Sequence, residues 1–226
     1  RIVVLSDKDL NSQKAVIPML MAVGRINQEL LKANVRHLVS MIAVTGDVYD
    51  SHSAATLIAY GANAIHPYLL FSTVYQKINS SKKYADLDCK EAYKSVHFAM
   101  NSGLLKIMSK MGIATIASYR NSALFDIIGL SRDIIDQCFT GSQHYLCGLT
   151  YDDIEKRLYI NHTKAYKDSE YTKMFPLNIG GYYKYVSGAE YHDYSPDVVH
   201  AIHEASQEGT IEAFDKLKNL INSRDK

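Results

Sequence analysis

Short apolar runs alternate with longer amphipathic runs through the first 130 residues, and this alternation constrains the fold more than any other feature. Ile2-Val-Val-Leu5 is β-branched and uninterrupted, as in a buried strand, and it ends at Ser6-Asp7. Residues 14–33 place Ile17, Leu20, Met21, Ile26, Leu30 and Leu31 on overlapping helical faces. A second strand is predicted over residues 35–44, closing at Thr45-Gly46-Asp47, then a helix over 53–60 that stops on Gly61. Residues 63–67 read as a third short strand with Pro67 at its margin, and residues 76–88 as an exposed polar loop. A helix over 91–111, a fourth strand over 113–118 and a short helix over 122–128 complete the series. Such repetition predicts an α/β fold in which crossover helices join parallel strands, either one open sheet or half of a barrel.

After residue 130 the character changes. Residues 152–194 are rich in Tyr and polar side chains and predict irregular structure, with one short helix and a hairpin around Gly180-Gly181. Ser195-Pro196 is a helix start, with Pro at the first helical position, for a helix running to about residue 208; another follows over residues 210–221. The predicted organisation is an α/β part over residues 1–150, an irregular linking segment over 151–194 and a helical part over 195–226.

Composition narrows the functional classes. A net charge of +1 favours neither nucleic acid nor an acidic membrane surface. Residues 15–24, the longest clean apolar stretch, contain Pro18 and fall short of the roughly 20 residues a bilayer crossing needs. The chain opens directly on a strand-like run, without initiator Met or basic leader, so the expectation is that it begins inside something larger or was cut. Cys89, Cys138 and Cys147 have neither CxxC nor zinc-ribbon spacing and read as reduced thiols of a cytoplasmic protein.

In α/β folds, ligand groups sit at the carboxyl ends of strands. Ser6-Asp7, Thr45-Gly46-Asp47, Pro67-Tyr68 and Ser118-Tyr119-Arg120 are predicted to share that edge. Asp7, Asp47 and Arg120 there have the chemistry of an acid, a base and an anion clamp, but strand-end Asp also caps helices by accepting free backbone N–H groups. Lys106 and Lys110 share one helix face, suited to an acidic partner or to solvent. His200 and His203 have a metal-compatible spacing but no HExxH pattern. Tyr182, Tyr183, Tyr185, Tyr191 and Tyr194 lack the basic interleaving that nucleic-acid stacking needs and predict packing against another domain.

Several stretches, in order, carry a family resemblance: Leu5-Ser6-Asp7, Ala15-Val-Ile-Pro18, Val44-Thr-Gly-Asp47, Tyr60-Gly-Ala62 and Ala64-Ile-His-Pro-Tyr68. Further along come the eleven-residue run from Gly103 to Ile113, Ser118-Tyr119-Arg120, Gly129-Leu-Ser131 and Phe139-Thr140-Gly141. Together they resemble the central domain of glutamate synthase large chains, and Gly180-Gly181-Tyr182, Gly188-Ala-Glu-Tyr-His192 and Pro196 resemble its passage into the synthase domain. The resemblance implies a non-catalytic, flavin-free linker between the glutaminase and flavin-barrel domains of one parent chain, around an internal ammonia tunnel. The parent reaction it implies converts glutamine, 2-oxoglutarate and reductant to two glutamates, with FMN and an iron–sulfur cluster held elsewhere. On that reading Asp7, Thr45, Gly46, Asp47, Lys106, Lys110, Ser118, Tyr119 and Arg120 are interdomain or tunnel contacts, and no residue of the chain is catalytic or binds a cofactor or metal. The chain departs from the family pattern at Asp47, where Glu is usual, at Lys8 for Arg, and at Asn27-Gln28 for a His pair. The competing readings are a small stand-alone α/β enzyme working through Asp47 and Arg120, and an interaction module docking on the flavin barrel through its Tyr-rich tail.

Overall fold

Ile2–Ser6 (β1), Ser40–Val44 (β2) and Ala64–His66 (β3) form a parallel three-stranded sheet in that order, with Val3 opposite Met41 and Ala43 opposite Ile65. The structure is a computed structural model and describes residues 1–84, 86–166, 180–190 and 192–223. The chain divides into two compact units, residues 1–168 and residues 169–226.

In the first unit, β1 and β2 are joined through Met19–Lys32 (α1), and β2 and β3 through Ser51–Ala59 (α2), the crossovers that parallel pairing requires. Pro18 precedes α1, so the helix starts five residues later than the apolar periodicity suggests at residue 14. β2 also starts late, because Arg36–Leu38 close a 3-10 turn instead of extending the strand. The middle of β2 is the buried heart of the sheet, with Met41 and Ala43 fully covered. β1 differs from the expected fully buried strand: it is an edge strand, and Ile2 and Val4 on its outer face are 68% and 55% exposed.

Three further expectations give way to local chemistry. Residues 76–88 are not one loop, because Tyr68–Ser80 (α3) continues helical, followed by a 3-10 turn at Lys82–Tyr84 and then Cys89–Lys110 (α4). The fourth strand expected at 113–118 is instead the short helix Ile116–Tyr119 (α5): the Thr115 hydroxyl accepts the Ser118 N–H and caps a helical turn. Where a helix was expected over 122–128, the strand Ile127–Leu130 (β4) begins, its β-branched pair Ile127-Ile128 leading into Gly129 at φ +82°. β4 pairs in parallel with His144–Leu149 (β5) across Arg132–Cys138 (α6).

Residues expected to be irregular carry the 16-residue helix Tyr151–Tyr166 (α7). Its start is a reciprocal cap. Thr150 N–H and hydroxyl donate to Asp153 Oδ2 at 3.0 and 2.7 Å, while Asp153 N–H donates back to Thr150 Oγ1 at 3.3 Å.

The main core joins Met19 and Val23 of α1, Met41 and Ala43 of β2, and Ile134 and Cys138 of α6. Gly24 makes that packing possible, since a Cβ there would lie 2.0 Å from the Cys138 carbonyl oxygen. A second cluster packs Ala55 and Ala59 of α2 against Met108 of α4 and Tyr119 of α5.

The second unit contains turns at residues 180–190, where Gly180 and Gly181 adopt φ near +70° and the Glu190 N–H reaches the Gly180 carbonyl; no strand occurs among its described residues. The Tyr191 position lies outside the described residues. The helices Pro196–Glu208 (α8) and Ile211–Asn222 (α9) follow as expected, joined at Gly209 with φ +61° and tied by Lys216 to Glu204 at 2.6 Å.

Candidate functional site

The carboxyl ends of β1 and β2 bring together Asp7, Thr45, Gly46 and Asp47. Asp7 is 9% exposed, and its Oδ2 accepts the Thr45 hydroxyl at 2.6 Å and the Gly46 N–H at 3.0 Å. Thr45, fully buried, accepts the Asp47 N–H at 3.0 Å on the same oxygen that donates to Asp7. The Asp47 carboxylate reaches across to accept the Met19 N–H at 3.1 Å, and so caps α1, whose N-terminus has no cap from its own Pro18. Strand-end capping is thus what Asp47 does, although the helix it caps precedes it in sequence. Tyr68, at the start of α3, faces the pair. Burial, and then the Asp7 and Asp47 carboxylates, push its hydroxyl up to about 12. An open cavity of about 380 Å³ lies beside this edge, lined by Ser6, Asp7, Asp9, Lys14 and the apolar run from Ala15 to Ile17.

The chemistry of this edge decides what it can hold. A nucleotide phosphate binds through free backbone N–H groups and gains from a helix N-terminus. Here the Gly46 and Met19 N–H groups already donate to carboxylates, and the two Asp charges repel an anion. The strand ends do not fit a flavin phosphate. Nor do the cysteines fit an iron–sulfur cluster: Cys89 opens α4, Cys138 closes α6 and Cys147 lies on β5, and among the described residues no group of three His, Cys, Asp or Glu is placed to hold a metal. His200 and His203 lie on α8 beside Glu204, whose carboxylate is taken by Lys216.

The remaining sequence candidates lie elsewhere. Lys106 and Lys110 are exposed on α4 and form no ion pair among the described residues. Ser118 and Tyr119 belong to α5. Tyr119 is fully buried and donates to the Ala55 carbonyl at 3.1 Å, and burial pushes its hydroxyl up to about 12. Arg120, expected beside Asp47, instead lies at the amino-terminal ends of β2 and β3, in a pocket shared with Arg36. The turn at Thr115 redirects the chain and separates Arg120 from the acids.

Sequence reasoning missed the polar network at that amino-terminal end. Arg36 donates to Asn27 Oδ1 and to the carbonyls of Val39 and Gly61, each at 2.6 Å, and to Asn63 Oδ1 at 3.2 Å. Asn27, 1% exposed, donates in turn to Asn121 at 2.7 Å. The signal was present in Arg36-His37, two polar side chains inside what reads as a strand. Asp50, which caps α2 through the Ser53 N–H at 2.7 Å and is held below the usual carboxylate range chiefly by the Ser53 hydroxyl, was missed for the same local reason.

Comparison with known proteins bears on what this scaffold belongs to. Residues 1–131 match the family described as "Glutamate synthase central domain". The chain is 35% identical over 213 residues to the large chain of glutamate synthase [NADPH] from Bacillus subtilis (strain 168), covering 94% of this chain and 14% of that protein. It is 36% identical over 236 residues to a ferredoxin-dependent glutamate synthase of Antithamnion sp., covering 99% and 15% respectively. Against ferredoxin-dependent glutamate synthase 1, chloroplastic/mitochondrial, of Arabidopsis thaliana, identity is 33% over 234 residues, again 99% of this chain and 14% of the relative. The chain therefore spans about a seventh of the length of these relatives. No helix among its described residues is long and apolar enough to cross a membrane.

Proposed function

The chain belongs to the glutamate synthase family, residues 1–131 to its central domain, and from that premise we propose that it serves as the non-catalytic scaffold between the glutaminase and flavin-barrel domains of a parent enzyme. One observation carries this reading: the strand ends that would bind a cofactor are closed by the chain's own carboxylates, Asp7 on Gly46 and Asp47 on Met19. Their chemistry is that of a shaped, rigid edge. In this reading residues 1–150 are part of the central domain, 151–194 a linking segment and 195–226 the start of the synthase domain. The parent would convert glutamine, 2-oxoglutarate and reductant to two glutamates in the cytoplasm, with FMN and the iron–sulfur cluster in other domains. The closed edge with Asp7, Thr45, Gly46 and Asp47 would border the ammonia tunnel. Lys106 and Lys110, which form no ion pair among the described residues, with Ser118 on the exposed side of α5, would meet neighbouring domains, around the buried anchor Tyr119.

The test is direct. The purified chain, incubated with FMN and passed over a desalting column, is expected to emerge colourless and to turn over neither glutamine nor 2-oxoglutarate. Retention of one equivalent of flavin would overturn the scaffold reading. A stand-alone enzyme working through Asp47 and Arg120 is disfavoured, because these residues sit at opposite ends of β2.

Docking on a flavin barrel has its own support. Tyr182, Tyr183 and Tyr194 are exposed in the second unit, and exposed aromatic side chains suit an interface. Comparing the whole chain with one ending at residue 168, where the first unit closes, for binding to a purified flavin-barrel domain separates the two roles: affinity lost with the second unit favours docking through the tyrosines.

A further inference from the structure

Arg36 and Arg120 line one open pocket of about 510 Å³ together with His37, Asn34, Asn121, Leu31 and Ala117. No carboxylate is among these residues, so two guanidinium groups share a cavity without a counter-charge on its wall. The two are unequal. Arg36 is consumed by its bonds to Asn27, Val39, Gly61 and Asn63, which fix the plane of its guanidinium. The Arg120 side chain has no hydrogen-bond or ion-pair partner among the described residues and keeps its whole donor fork for an outside group. Asn121 Oδ1 is engaged by Asn27, which leaves its amide N–H groups as donors.

We propose that this pocket is an oxyanion site in which Arg120, supported by Arg36, Asn121 and His37, takes a carboxylate or a phosphate group. Such groups match the planar donor fork of Arg, and Arg36 supplies a fixed positive field behind it. The proximity of the cations has a visible consequence: burial, and then the charge of Arg120, hold the Arg36 pKa below its ordinary value. A bound anion relieves that repulsion. The site lies at the amino-terminal ends of β2 and β3, away from the carboxylate-closed edge, and is independent of the scaffold reading.

The experiment titrates the 226-residue chain with inorganic phosphate and, separately, with malonate at constant ionic strength, following the amide resonances of Asn34, His37 and Asn121. Saturable shifts at these residues are expected, with affinity at least about tenfold weaker in Arg120→Gln and an unfolding midpoint no lower than that of the parent chain. Arg120→Lys, which keeps the charge but not the fork, is expected to fall between the two. A response to phosphate alone assigns a phosphate group, and one to malonate alone assigns a carboxylate. Shifts that do not saturate by ~10 mM with either anion, or equal affinity in all three proteins, overturn the site.

Discussion

The Arg36 guanidinium donates to the Gly61 carbonyl oxygen at 2.6 Å, tying the turn after α1 to the turn that leads into β3. Gly61 has φ +123°, and a Cβ there would lie 2.6 Å from the Asn27 side chain, so the bond depends on a residue that only glycine satisfies. The same guanidinium reaches Val39 before β2. One side chain therefore sets the starting register of two neighbouring strands.

Replacing Arg36 by Ala strips a donor from Asn27 Oδ1 and from two carbonyls at once, while Asn63 Oδ1 keeps the Met41 N–H. The expected cost is about 3 kcal/mol, measured by urea unfolding, since each partly buried polar group left alone loses roughly 1–3 kcal/mol. Arg36→Lys is expected to recover less than half of that, because an ammonium does not reproduce the fork. Equal stability of Lys and Arg would show that charge, not geometry, matters.

Gly24→Ala tests the approach of α1 to α6. Alanine gains about 1 kcal/mol of helix propensity over glycine. Against this, the new Cβ meets a backbone carbonyl at 2.0 Å, which no rotamer change relieves. Overpacking of this kind costs roughly 1–3 kcal/mol, so a lower unfolding midpoint is expected. An unchanged or higher midpoint would mean that the two helices separate at little cost.

Thr45→Val keeps the shape of a fully buried residue and removes both the hydroxyl that donates to Asp7 and the acceptor of the Asp47 N–H. A hydrogen bond to a charged group contributes roughly 1.5–3 kcal/mol, and a loss of about 2 kcal/mol is expected in denaturant titration. The double variant with Asp7→Asn is expected to lose less than the sum of the singles, since both act on one bond. Strict additivity would deny the coupling.

The tyrosines set an alkaline limit. Tyr68 and Tyr119 hold their protons up to about 12 in the folded chain, chiefly through burial. An unfolded tyrosine releases its proton near 10. With the folded pKa raised, the stabilising contribution is complete below pH ~10 and disappears as pH climbs from there toward 12. Thermal midpoints recorded across that window are expected to fall, with the Tyr68 and Tyr119 tyrosinate signals, together with that of Tyr151, among the last to appear. Early titration of both hydroxyls would contradict their burial.

Local signals carried much of the architecture. The β-branched run at β1, the glycine stop after α2 and the Ser195-Pro196 start of α8 each announce an element within a few residues. α7 was equally announced by Thr150 and Asp153, three apart, but its tyrosines and charges mask an apolar face. The strand-end carboxylates were legible as capping groups; which N–H each would take was not.

What the sequence by itself determined is the kind and order of elements from β1 through β3, because strand and helix preferences act over a handful of neighbours. Only the tertiary structure decided which distant groups meet. Asp47 caps a helix 28 residues behind it, Arg36 reaches Gly61, and Arg120 parts from the acids it was expected to join. Those pairings follow from the path of each crossover and from close approaches such as α1 on α6, where geometry fixed by the whole packed core overrides any local preference.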